Sequence, residues 1–395
     1  MKKTFIIILL FLLLIILIPN AIANELEAKN IIKECKFSSS GGRNYGMLSD
    51  NRFRFHFSTN KAKNSFLEIT AKEDIHSLYI MWQDLPGEWL LQENVNGEWF
   101  DIEAYGKKGF LHEFVEVPAK KHIRILNNSG KAKALSIFEM EIYGEGELPK
   151  TVQIWEEAPN KCDILVLVAH PDDEYIFMGG LIPSYLDKGK SVMVSYLTHG
   201  VPLRRFELLN GLWHCSLKNY PVIGNFADVF RKNAKGTYAT WGKEKSQNFV
   251  ANIIRQHRPE VVVTHDINGE YGHGAHKAAA DIAINAVKIA EDNNFVSEFS
   301  PWQTKKLYLH LGENNTIKLD WEEPLNSYDG KTALQVAAEA YQFHESQHGG
   351  RQDYKGRTFF FKVEVDGMFD SELFSLVHTR VGEDINKNDF LENID

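Results

Sequence analysis

Three cysteines in 395 residues are too few for a disulfide framework, and the spacing of Cys35, Cys162 and Cys215 forces no pairing. Cys162 opens an apolar run and reads as a packed hydrophobe. Clusters of Lys and Arg are missing as well. With a net charge of −9, that argues against a nucleic-acid partner. There is no internal repeat and no low-complexity tract. The apolar run over 5–18 is shorter than the roughly 20 residues needed to span a bilayer. Lys2 and Lys3 precede it and Ala21-Ile22-Ala23 follows, which is the layout of a secretory signal peptide cleaved after Ala23. Export to the periplasm, cell surface or medium is therefore expected, with no membrane span after cleavage. An uncleaved anchor is the alternative. No Cys lies near the cleavage site, which disfavours lipoprotein processing.

What remains is an ordinary globular composition, 44% hydrophobic and 25% charged, in a chain long enough for two or more domains. From about 31 to 143 the texture is all β. Short alternating or apolar runs at 52–57, 66–69, 77–82, 89–92, 122–126 and 134–142 are punctuated by Asn, Gly, Asp and Pro, as in a sandwich. Trp82, Trp89 and Trp99 are candidates either to stack on sugar rings or to pack in the core. Residues 144–149 read as a linker.

Beyond about 160, strands alternate with helices: strand 164–168, helix 175–188, strand 191–197, helix 241–257, strand 261–264 and helix 276–292. This predicts an α/β domain, 160–395, with a mostly parallel sheet. A strand at 307–310, a helix over 332–347 and a strand over 359–365 read as additions to it.

Two strand exits concentrate the chemistry. Ala169-His170-Pro171-Asp172-Asp173-Glu174 follows the first strand, placing an imidazole and three carboxylates where an open α/β sheet puts its sites. Burying them together is costly unless a cation gathers them. His265 to His276 follows the strand 261–264, and its His273-x-x-His276 pair starts a helix with both rings on one face. Two His and one carboxylate with an open position form the arrangement of catalytic zinc, whose bound water becomes acidic.

These paired motifs resemble the LmbE-like, or PIG-L, zinc-dependent de-N-acetylases, which act on N-acetylglucosamine-containing glycolipids and related glycosides. The resemblance covers about 160–290. It includes Met178-Gly179-Gly180-Leu181-Ile182, Leu197-Thr198-His199-Gly200, Arg204 with Glu207, and the segment Asn268 to His276. It implies a Rossmann-like sheet with helices on both faces and one Zn2+ per chain held by His170, Asp173 and His276. It also implies zinc-activated water attacking an amide, with Asp172 as general base. His273 would handle the proton at the leaving amine, Tyr271 would polarise the acyl oxygen, and Arg204 would face an amino-sugar substrate.

The chain departs from the family at Thr198-His199-Gly200-Val201, where an acidic residue is common. It departs again at Ala275, where an Asp often stands, leaving Asp266 as a substitute partner for His273. His199 and His214 read as structural or substrate-side. Fe2+ suits the same ligands as Zn2+. More weakly, Glu139-Met140-Glu141-Ile142-Tyr143-Gly144 and the turn Ser49-Asp50-Asn51-Arg52 resemble discoidin-like (coagulation factor 5/8 type C) sandwiches. That implies a galactose-binding-like sandwich able to recruit a glycan. Two other readings stay open: a glycan-binding protein with a non-competent hydrolase domain, and a metal hydrolase on another linkage. Against a two-metal phosphoesterase, no second ligand cluster is seen.

Overall fold

The computed structural model describes residues 27–394 apart from 54 and 353–355. The expected signal peptide, 1–23, lies outside the described residues.

The N-terminal domain is built from seven strands: β1 (Lys36–Ser39), β2 (Phe57–Ser58), β3 (Phe66–Trp82), β4 (Trp89–Val95), β5 (Glu98–Tyr105), β6 (His112–Asn127) and β7 (Ser136–Tyr143). All their pairings are antiparallel. The two runs expected at 66–69 and 77–82 are one strand, β3, whose register with β6 shifts between Thr70 and Ser77. These shifts let two strands serve two layers. The first half of β3 and the second half of β6 join β1, β4 and β5, while their other halves join β7 and β2. Leu67, Ile69, Ile80, Val115, Ile125 and Ile137 are buried between the layers.

One expectation fails here, and one open alternative closes. The aromatic run at 52–57 forms a strand only at Phe57–Ser58. Its preceding residues instead turn toward the second domain, where the Phe53 ring packs 4.7 Å from that of Phe206. Trp82 and Trp89 are fully buried, and both indole N–H groups donate to the buried carboxylate of Glu113, at 2.8 and 3.0 Å. Neither can stack on a sugar. Trp99 is half-buried and lies beneath the Arg124 guanidinium at 4.3 Å.

The second domain contains β8 (Ile164–Val168), α1 (Asp173–Ile176), α2 (Leu181–Asp187), β9 (Val192–Tyr196), α3 (Pro202–His214), β10 (Val222–Ile223), α4 (Ala234–Trp241), α5 (Lys243–His257), β11 (Val261–Thr264) and α6 (Gly274–Glu291). It continues with β12 (Lys306–His310), β13 (Thr316–Lys318), α7 (Ala333–Tyr341), a 3-10 turn (Glu345–Gln347), a short hairpin of β14 (Arg351–Gln352) and β15 (Thr358–Phe359), and β16 (Leu373–Thr379). The main sheet runs β10-β9-β8-β11-β12-β16-β13, parallel through β12 and antiparallel beyond it. The additions after 300 thus extend the same sheet.

Alternation along each strand sorts the two faces. Ile164, Val166 and Val168 pack with α1, α2, α3 and α7, whereas Leu165 and Leu167 pack with α5 and α6. One expected helix is broken by glycine: Gly179, at φ +52°, separates α1 from α2. The helix expected over 241–257 is present as α5, and Gly242, at φ +75°, divides it from α4. The expected strand at 359–365 is confined to Thr358–Phe359. Cys162 and Cys215 are buried, and no cysteine is paired.

Candidate metal centre

Strands β8 and β11 are neighbours at the middle of the sheet, with β9 on one flank and β12 on the other. Their C-terminal ends bracket a topological switch point. Asp172, in the turn after β8, sits at φ +104°, a left-handed backbone that a non-glycine residue rarely adopts and that marks functional strain. The turn is held from both sides. Glu174 Oε2 accepts the Asp172 N–H at 2.8 Å, while Arg204 Nη2 donates to Pro171 O and lies 3.2 Å from Asp172 Oδ1. The Asp172 carboxylate makes no capping bond to α1, so it is free for other work. On the opposite strand exit, α6 starts at Gly274, whose N–H donates to Arg231 O at 2.6 Å. A Cβ there would meet Asn233 O at 2.6 Å, so only glycine fits.

The two exits bring His170, Asp173 and His276 together. Asp173 Oδ2 is 3.1 Å from His170 Nδ1, Asp173 Oδ1 is 3.4 Å from His276 Nε2, and the two ring nitrogens are 3.2 Å apart. Tetrahedral ligands at about 2.0–2.1 Å from one zinc stand roughly 3.3 Å from each other, which matches. Proton placement points the same way. His276 Nδ1 donates to Glu270 Oε2 at 2.6 Å, so its Nε2 presents a lone pair. His170 Nε2 faces Asp228 Oδ1 at 3.6 Å, and a proton on that side leaves Nδ1 bare too. Three lone pairs then meet with no proton between them, a donor set that fits a divalent cation.

Glu270 organises the surroundings. Its fully buried carboxylate accepts from His276 at 2.6 Å, His265 Nδ1 at 2.9 Å and His310 Nδ1 at 3.1 Å. Such outer carboxylates fix the tautomer and orientation of metal-facing imidazoles. His265 is held on its other side by the Ala169 N–H, 3.0 Å from Nε2. It is therefore a support and not a ligand, although it lies within 4.8 Å of Asp173 and His276. Burial works against its charge, yet Glu270 and Asp173 push His265 up to about 10. A cation beside Asp173 weakens that pull and suits the neutral ring that the Ala169 N–H requires.

The neighbouring aspartates are pushed apart electrostatically. Burial raises Asp172 to about 7 against the pull of Arg204. Asp173, equally buried, is held well below the usual carboxylate range by His276, His170 and His265. Burial, His170 and His276 drive His273 well below the usual imidazole value, so this ring is neutral at rest. Its Nδ1 accepts the Ala275 N–H at 3.1 Å, which leaves the proton on Nε2. Asp266 is not its partner: that carboxylate accepts the Asn268 N–H at 3.0 Å, closing a tight turn. The Tyr271 ring lies 5.1 Å from that of His276 and 5.4 Å from that of His273. Burial, with Asp173 and Asp172 nearby, raises its hydroxyl well above the usual phenol range.

Arg204, expected to face substrate, is buried and directs its guanidinium to Pro171 O, Asp172 and Asp228, the last at 3.3 Å. His214 lies apart from the cluster, 3.0 Å from Glu339. Sequence reasoning did not single out Glu270, Glu174, Asp228, His265 or His310. Glu270 and Glu174 had a signal, being acidic residues within His-rich turns between apolar elements. Asp228 had none.

Residues 165–287 match the family described as PIG-L, GlcNAc-PI de-N-acetylase. A Catenulispora acidiphila protein named 1D-myo-inositol 2-acetamido-2-deoxy-alpha-D-glucopyranoside deacetylase 1 is 27% identical over 175 residues, covering 37% of this chain and 54% of its own length. The chain thus spans little more than half of that relative. Among solved structures, the N,N'-diacetylchitobiose deacetylase of Pyrococcus horikoshii aligns over 47% of this chain and 71% of its own, at 20% identity and a TM-score of 0.39. The family 32 CBM of C. perfringens NanJ aligns over 30% of this chain and 98% of its own, at 16% identity and a TM-score of 0.26. Residues 165–287, which carry both strand exits of the candidate metal centre, are a domain of the PIG-L (LmbE-like) family.

Proposed function

We propose that this protein is an exported metal-dependent hydrolase that removes the N-acetyl group from an N-acetylglucosamine-type amino sugar in a glycan or glycoconjugate. The products are a free amine and acetate. One observation carries the reading: the lone pairs of His170, Asp173 and His276 converge beside Asp172, a buried carboxylate held in strained backbone and raised to about 7. The family of residues 165–287 supports the reaction class.

His170, Asp173 and His276 would hold the ion, which supplies Lewis acidity to the acyl oxygen and to water. Asp172, poised near neutrality, takes a proton from the attacking water, with Oδ1 oriented by Arg204. The proton that Asp172 takes from the water goes on to the leaving amine, while the neutral His273 ring hydrogen-bonds through Nε2–H on the leaving-amine side and keeps its proton. The Tyr271 hydroxyl, kept protonated by burial, is a donor for the acyl oxygen. Any glycan recruitment by the sandwich runs through surfaces other than Trp82 and Trp89. Export rests on the leader at 1–23; among the described residues no helix is long and apolar enough to cross a membrane.

The test is acetate release from a panel of N-acetylglucosamine glycans by the zinc-loaded chain from residue 24 onward, beside Asp172→Asn. The variant is expected to keep its zinc and lose about a hundredfold or more of the rate. Release that survives the substitution refutes Asp172 as base. No release from any amino sugar, with glycan binding retained, favours a binding protein.

A further inference from the structure

The helix α7 and the 3-10 turn after it lie outside residues 165–287, yet they deliver a side chain to the back of the metal centre. His344 is fully buried, and neither ring nitrogen has a hydrogen-bond partner among the described residues. Its ring is packed between Tyr175 at 5.7 Å and Tyr341 at 6.2 Å. The polar group it faces is Glu174, whose Oε1 stands 3.6 Å from His344 Nε2. A leucine would fill this space without burying two bare nitrogens, so an imidazole here calls for a partner. A small shift of the turn brings the gap to hydrogen-bond length.

Glu174 is the group that fixes the base. It is itself fully buried, accepts the Tyr196 hydroxyl at 2.6 Å through Oε1, and accepts the Asp172 N–H at 2.8 Å through Oε2. The segment carrying His344 is clamped in turn to α3. Glu207 accepts the Ser346 N–H at 2.8 Å and the Ser346 hydroxyl at 2.6 Å. Glu207 lies three positions after Arg204, so one helix braces Asp172 directly and also anchors the turn behind Glu174.

We propose that His344 is a positioning residue for Asp172. It backs the Glu174 carboxylate, and Glu174 keeps Asp172 in the left-handed backbone that aims its side chain. The inference rests on Asp172 being the base, and it extends the active site to a segment beyond the family match.

Three variants of the full chain test it: His344→Phe, which keeps a ring without nitrogens, His344→Gln, which returns a donor, and Ser346→Ala, which loosens the clamp. His344→Phe is expected to keep stoichiometric zinc and to lose about ten- to a hundredfold in kcat, with KM within about twofold. His344→Gln is expected to recover most of the loss. A crystal structure of His344→Phe is expected to show Asp172 out of positive φ. Unchanged φ with unchanged kcat overturns the proposal, as does a loss explained by departed zinc. If His344→Phe does not fold, Ser346→Ala gives the same readings. If the native protein releases no acetate from any amino sugar, the proposed function fails, and the φ of Asp172 and the zinc content still decide the role of His344.

Discussion

Glu270 Oε2 accepts the Nδ1 proton of His276 at 2.6 Å, and the same carboxylate collects His265 and His310 on its other oxygen. A single buried group therefore sets which nitrogen of His276 is bare. Glu270→Ala is expected to weaken zinc binding by about ten- to a hundredfold, measured by titration against a competing chelator. Native affinity in the variant would show that His276 is oriented by something else.

Metal removal is expected to cost stability as well as any activity, because it leaves the facing lone pairs of His170 and His276, 3.2 Å apart, without their common partner. Restoring zinc at about a hundredfold over its Kd should return roughly 2.7 kcal/mol. Thermal unfolding after chelation and after zinc addition reads the difference. Identical midpoints would count against the site.

Phe206, on α3, is the packing centre of the domain junction, with ring centroids 4.7 Å from Phe53, 4.8 Å from Phe138 and 4.6 Å from His112. Phe206→Ala is expected to cost about 3–5 kcal/mol and to split one calorimetric transition into two. A single transition at the native midpoint would mean that the domains are coupled elsewhere.

His112 lies at the same junction, with Nδ1 2.7 Å from Gln153 Oε1, and burial pushes its imidazole down to about 3. The folded state thus prefers the neutral ring, while the unfolded chain protonates near 6.5. This contribution is fully present above pH 6.5 and is lost as the pH falls toward 3, by roughly 4 kcal/mol at the lower end. His112→Gln is expected to flatten that acid limb in denaturant melts between pH 7 and 4. An unchanged slope would assign the acid sensitivity to other groups.

The cluster was legible because its residues lie close in sequence: six positions after β8 and twelve after β11 hold His170, Asp172, Asp173, His273 and His276. The alternation of strands and helices, set by local patterning, revealed the sheet for the same reason. What stayed hidden depends on contacts between distant segments. Asp228 reaches His170 from the loop before α4, and His344 reaches Glu174 from 170 residues downstream. The sequence left Trp82 and Trp89 between sugar stacking and core packing, and only the fold brings up the buried Glu113 that takes their N–H groups inside a core. The aromatic run at 52–57 has the alternation of a strand, but its Phe53 is spent on a neighbouring domain.

Helix α3 has consequences for modularity. Arg204 braces the Asp172 turn, and Phe206, two residues on, is gripped by the sandwich. Swapping the N-terminal domain for another β-sandwich would therefore not be a neutral exchange. It would strip the supporting wall from the helix that steadies the Asp172 turn, so the two domains can be expected to tolerate sequence change only in step with each other.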